Sequence, residues 1–317
     1  GGYKMIDINI IRKHCINIEM DDLLEYLRIH DDQNEYYDRF VNRFVKKIKT
    51  DFMTKDNLLE EILHAYESYY VSVFYEKEDL DMAASHLLQQ LLNIVDYKSD
   101  IKTMDEVENH IKDLFADKGY IFRGDKTSNY YGPYIWQNTE EKIYEVQIPE
   151  GIVELPVHFM RGYVMNSWLA YLSFDLTGTG GWCVKEGLFC NFSRYEKILD
   201  SPKFNISFLK HESQHFQDYL NKDYEINVTT LEYRAKLCEL TYYPNMELLR
   251  SFISTAKNSD LLTHSQAEYW LVKDLSKRIF NQEYVDDFSL WENKLDEVRE
   301  HSRQLILEYH RCEASKE

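Results

Sequence analysis

The sequence predicts an α+β fold, with a small antiparallel or mixed sheet and its functional helices at the centre and helical regions on either side. Three observations predict it. All five prolines fall between Pro133 and Pro244, and apart from Gly1 and Gly2 every glycine lies between Gly119 and Gly187. These residues punctuate strands and turns, so the middle is mixed and the flanks are helical. Apolar residues recur at helical spacing in the flanks, and at every second position between Ile143 and Phe159. The linear parts that follow are residues 1–118, mainly helical, 119–243, the core, and 244–317, helical again.

In the first part, Leu58, Leu59, Ile62, Leu63, Tyr66 and Val73 form one apolar helical face. Ala84, Leu87, Leu88, Leu91, Leu92 and Val95 form a second, and two such faces pack as antiparallel helices. Thr103 and Glu106 make a capping box that opens a helix through Val107, Ile111 and Leu114, ending at Gly119. His64, His86 and His110 fall one to a helix without ligand spacing, the pattern of surface histidines.

In the middle part, Ile143–Ile148 and Val153–Phe159 alternate as strands, the second with Val153, Leu155, Val157 and Phe159 on one face. Residues 161–173 can form a helix carrying Trp168 and Tyr171. Residues 180–184 and 188–192 predict a hairpin around a Lys185-Glu186-Gly187 turn. Ser201-Pro202 then reads as an N-cap followed by proline at the first helical position, opening a helix to about Leu220 with Asn221 as its stop. A second helix follows around 229–240.

The first of those helices carries His211-Glu212-Ser213-Gln214-His215. Residues four apart stack on one helical face, so His211 and His215 present two imidazoles to one point. Glu212 sits about 100° round the same turn, where a carboxylate reaches a water on the ion without taking a coordination position. Two imidazoles and a third protein ligand, with one position open, is what zinc needs in a catalytic site. His-Glu-x-x-His arises by accident in only roughly 4 of 100 chains of this composition. Glu232, on the following helix, is the candidate third ligand; its competing role is to close a capping box with Thr229. Glu225 and Glu239 are weaker candidates. Asp218 lies too far up the axis to share the ion, and its expected place is orienting a ligand.

Composition narrows the function further. A net charge of −18 and a pI near 5.1 argue against nucleic acid or an anionic membrane surface as partner. No apolar run approaches the 18 residues of a spanning helix. Five scattered cysteines, none in Cys-x-x-Cys spacing, indicate neither a disulfide framework nor a thiolate site and favour a cytoplasmic, reducing setting. The Gly-Gly opening reads as a tag remnant or a trimmed start, which leaves a secreted origin open.

His211-Glu212-x-x-His215 followed by a helix bearing Glu232 resembles the gluzincin branch of the zincin metallopeptidases. Asp218, three residues after the second histidine, is similar to the pattern of the anthrax lethal factor-like peptidases. The resemblance covers about residues 120–242 and implies a zincin-like catalytic core. It implies Zn²⁺ held by His211, His215 and Glu232, and Glu212 as general base in hydrolysis of a peptide or protein substrate. The chain departs from the thermolysin pattern in its short spacer to Glu232 and in having Lys236 where that family has an Asp. Tyr242, Tyr243 and His264 are the candidate transition-state donors. Another zinc hydrolase on the same scaffold and an inert interaction protein with a zincin-like core are the alternative expectations.

Overall fold

A computed structural model of the chain describes residues 6–95, 102–221, 227–259 and 262–314, the side chains of 309–314 excepted. The fold mixes helix and sheet, as the α+β expectation has it. Contacts sort the chain into two compact units, Gly1–Thr139 with Met160–Thr179, and Glu140–Phe159 with Gly180–Glu317.

The first unit is built on helices α1 (Ile8–Asn17), α2 (Met20–His30), α3 (Glu35–Phe40), α4 (Asn57–Tyr70), α5 (Leu80–Ile94) and α6 (Met104–Asp117). Short strands β1 (Ile121–Arg123), β2 (Lys126–Thr127), β3 (Tyr130–Tyr131) and β4 (Tyr134–Trp136) follow. Leu59, Ile62, Leu63, Tyr66, Leu87 and Leu91 are buried in one core, as their spacing predicts. Thr103 and Glu106 form the expected reciprocal cap on α6. The sequence between 161 and 173 yields strand β7 (Met165–Asn166), which joins β4, and a short helix α7 (Ser167–Leu172) that buries Trp168 and Tyr171.

The second unit holds a four-stranded sheet of order β5-β6-β9-β8, from β5 (Asn138–Ile148), β6 (Gly151–Arg161), β8 (Gly181–Val184) and β9 (Gly187–Asn191). Val153, Leu155, Val157 and Phe159 are all buried, so the two-residue period of β6 does place one face inward. The β8–β9 hairpin pairs Val184 with Gly187, which leaves a two-residue Lys185-Glu186 turn rather than the three-residue turn expected. Gly187 is in the strand for a steric reason. A Cβ there would sit 2.3 Å from the Pro156 carbonyl oxygen, and its φ of +133° suits glycine.

The helices that follow are α8 (Phe192–Tyr195), α9 (Pro202–Phe204), α10 (His211–Leu220), α11 (Val228–Tyr242), α12 (Glu247–Thr255), α13 (Thr263–Phe280) and α14 (Leu295–Ala314); α10 packs on β8 and β9, and α11 packs on α10, α13 and α14. Ser201 caps the segment as expected, its hydroxyl accepting from the Phe204 amide, but α9 passes through a π-helical stretch, Asn205–Lys210, before α10 begins at His211. Leu249, Leu271, Leu275, Trp291 and Val298 share one core with Leu155, Phe216 and Leu237. The C-terminal helices and the sheet thus bury their apolar faces on α10 and α11 together. The C-terminal helices therefore pack against the sheet-bearing core, as their apolar faces predict, and by contact belong to the same unit.

Candidate metal centre

Helical spacing does at α10 what it predicts. The Nε2 atoms of His211 and His215 lie 3.1 Å apart. Glu232 on α11 brings Oε1 to 3.4 Å from His215 Nε2 and Oε2 to 3.6 Å from His211 Nε2. Ligands about 2.05 Å from a tetrahedral ion stand about 3.3 Å from one another. These three side chains therefore converge closely enough to offer one ligand atom each to a single metal ion. Without a cation or a shared proton the arrangement would set lone pairs against each other in a nearly dry pocket, which is costly. A second group, His14, Glu19 and Asp22, also lies within ligand reach, but it is partly open to solvent and His14 Nδ1 is already engaged by Glu19 at 2.9 Å.

Glu232 is free for this role because it does not cap its helix. The N-cap of α11 is Asn227, whose Oδ1 accepts from the Thr230 amide at 2.9 Å. Thr229 lies inside the first turn, so the capping box with Thr229 is not formed. An Asn with extended backbone wins the cap, and Glu232 falls on the face turned to α10. Glu225 lies outside the described residues.

Glu239 has a different place from the ligand role considered for it. Two turns beyond Glu232 on the same face, its Oε1 lies 2.6 Å from His211 Nδ1, on the far side of the imidazole from the ligand edge. A carboxylate on the outer nitrogen fixes the tautomer and ring orientation of a ligating histidine. Burial alone would lower the His211 pKa; the hydrogen bond and charge of Glu239, with Glu212 and Glu232, outweigh it and raise the pKa to about 9. His215 has no matching partner, and its Nδ1 is buried without a hydrogen bond among the described residues. Burial would raise the Glu232 carboxyl, but His215, His264 and His211 hold it well below the usual carboxylate range.

His264, in the first turn of α13, brings Nδ1 to 2.9 Å from Glu232 Oε2 with 68% of its side chain exposed. The approach is close but not aligned as a hydrogen bond, since Oε2 has no directed donor. Of the three proposed donors only this one touches the cluster. The Tyr242 ring instead faces Lys210 Nζ at 4.1 Å, and the Tyr243 carbonyl accepts from Arg299.

Glu212 is not one of the three converging groups. Burial first and then its negative charge push the thiols of Cys183 on β8 and Cys190 on β9 well above their ordinary range. Helix α10, which carries Glu212, packs on this hairpin, and β8 is an edge strand of the sheet.

Asp218 does not orient a ligand. Its carboxylate takes Arg234 Nε at 3.0 and 3.1 Å, Nη2 at 3.0 Å and Gln214 Nε2 at 3.1 Å. Arg234 Nη2 also donates to Glu150 at 2.6 Å, and Nη1 to the Ile306 carbonyl at 3.3 Å. The guanidinium fork suits this task, because it serves two carboxylates and a carbonyl at once. With Lys236 bonded to Glu268 at 2.9 Å, α11 buries four acidic or basic side chains, Glu232, Arg234, Lys236 and Glu239, each with a partner of opposite charge or a histidine. Such groups are tolerated in a core only when paired in this way.

The three predicted ligands are thus brought together, Glu212 stands beside them, and Asp218 and Glu239 are displaced to neighbouring tasks. Tyr219 on α10, which no motif marks, also enters the cluster, its ring stacked on His215. No protein-family model, curated protein or solved structure matches the chain.

Proposed function

We propose that this chain is a zinc-dependent peptidase, with His211, His215 and Glu232 as ligands and Glu212 as general base. The observation that supports the reading is the convergence of two Nε2 atoms and one carboxylate within reach of one metal ion, with Glu212 next to His211 on the helix and outside the group. A bound zinc would supply Lewis acidity, polarising a carbonyl and lowering the pKa of a water to about 7. Glu212 takes that water's proton as its oxygen adds to the carbonyl carbon, and later delivers the proton to the leaving nitrogen. Glu239 holds the His211 imidazole in the tautomer that leaves Nε2 free. An extended peptide is the substrate favoured by the edge strand β8 beside α10, since an edge offers unpaired backbone groups to a further strand.

The test is elemental analysis of the purified chain with Glu212→Gln beside it. Wild type should hold one zinc and cleave members of a quenched fluorescent peptide library. Glu212→Gln should hold the same zinc and cleave none, because an amide cannot accept the proton. A wild-type chain without zinc after incubation with the metal, or full turnover in the variant, would refute the reading.

A further inference from the structure

We propose that Tyr219 is the catalytic residue that donates a hydrogen bond to the carbonyl oxygen of the substrate as that oxygen becomes negatively charged. The assignment rests on the peptidase reading above and deepens it. Along α10, at 100° and 1.5 Å per residue, Tyr219 lies roughly 20° from the direction of Glu212 and roughly 40° from that of His215, about 6 Å beyond the latter. Helical side chains lean back toward the N-terminus, so the phenol is carried over His215 and toward the ligand cluster. The ring does lie over His215, with centroids 6.3 Å apart and planes 26° from parallel. The Tyr219 hydroxyl makes no hydrogen bond among the described residues, and the residue is 37% exposed.

Of the other candidates, the Tyr242 ring faces Lys210 Nζ, and His264 Nδ1 lies against the carboxylate of Glu232. Tyr219 and Glu212 therefore bracket the cluster along one helix, the carboxylate at one end and the phenol at the other. Water adds to the carbonyl carbon, its proton passing to Glu212, and the carbonyl electron pair moves onto oxygen. Tyr219 donates to that oxygen without giving up its proton. When the C–N bond breaks, the pair returns to re-form the carbonyl and Glu212 gives its proton to nitrogen, leaving an acid and an amine. A preorganised donor at a developing oxyanion is worth ~100-fold or more in rate.

Tyr219→Phe tests this, because phenylalanine keeps the stacking on His215 and removes only the hydroxyl. With the full zinc-loaded chain and the fluorescent peptide library, the variant should keep its zinc, hold KM within about two-fold and lose about 100-fold in kcat. A second readout needs no substrate. With cobalt in place of zinc, acetohydroxamate is titrated against the visible spectrum, and Tyr219→Phe should weaken its binding about 10-fold. Equal kcat and equal acetohydroxamate affinity in Tyr219→Phe and wild type would overturn the assignment. A wild-type chain that takes up neither zinc nor cobalt overturns the peptidase reading itself, and the role of Tyr219 with it.

Discussion

Replacing Glu239 by alanine separates orientation of a ligand from ligation. Glu239 keeps only 6% of its side chain exposed and its carboxylate stands 2.6 Å from His211 Nδ1, so the imidazole has no water positioned to take its place. Losing the outer partner of a ligating histidine typically costs ~10–100-fold in metal affinity, which is about 1.4–2.7 kcal/mol. Because saturating metal stabilises the fold by an amount that follows the logarithm of affinity, the same 1.4–2.7 kcal/mol should vanish from the gain in unfolding free energy that zinc confers. Competition against a chromophoric chelator at constant pH measures the affinity, and denaturant unfolding with and without zinc measures the gain. Glu239→Gln keeps an acceptor for Nδ1 and should lose less than Glu239→Ala. If Glu239→Ala binds zinc as wild type does, His211 does not depend on its outer partner and the geometry assigned to this histidine is wrong.

Glu232→Ala should abolish zinc binding, whereas Asn227→Ala, which removes the true cap of α11, should cost about 1 kcal/mol in stability and keep the metal; equal zinc retention in both would send the third ligand elsewhere. Zinc uptake at pH 7 should release about one proton, because His211, with its pKa raised to about 9, must lose that proton to ligate. Calorimetry in buffers of different ionisation enthalpy counts it, and no buffer dependence would contradict the prediction. In the metal-free protein the same raised pKa contributes stability that is complete below about pH 6.5 and lost as pH rises through about 9, measurable as a fall in unfolding free energy across that interval. Arg234→Met should cost ~3–5 kcal/mol by leaving Asp218 and Glu150 buried without their cation, and adding Asp218→Asn and Glu150→Gln should recover most of it. A single variant as stable as wild type would show that the two carboxylates are protonated or hydrated.

Much of this architecture is legible in the sequence where one local rule decides the outcome. The two-residue period of β6, the capping box at Thr103 and the i, i+4 spacing of His211 and His215 each follow from backbone geometry alone. Other features depend on competition between rules or on distant partners. Both Asn227 and Thr229 are good caps, and only the entry angle of the chain chooses between them. The π-helical stretch Asn205–Lys210 contains no proline or glycine to announce it. Helix α11 has no clean apolar stripe, because Glu232, Arg234, Lys236 and Glu239 are buried by pairing with residues on other elements. That is why the sequence could nominate Glu239 as a weaker candidate ligand and Asp218 as a residue orienting a ligand but could not assign either to its partner. Tyr219 escapes notice because stacking on a neighbouring turn leaves no residue-type signature beyond an aromatic four positions after a histidine.

The Arg234 hub also constrains how this fold can diverge. Glu150, Asp218 and Arg234 come from a turn beside the sheet and from two helices, yet their charges are stable in the core only as a set. A substitution at any one of them meets the full penalty before a second change can relieve it, so single-step drift at these positions is blocked while the rest of α11 can vary by ordinary repacking. Divergent copies of the fold should therefore keep all three ionic residues or lose them together, and a chain with an apolar residue at 234 should carry neutral residues at 150 and 218.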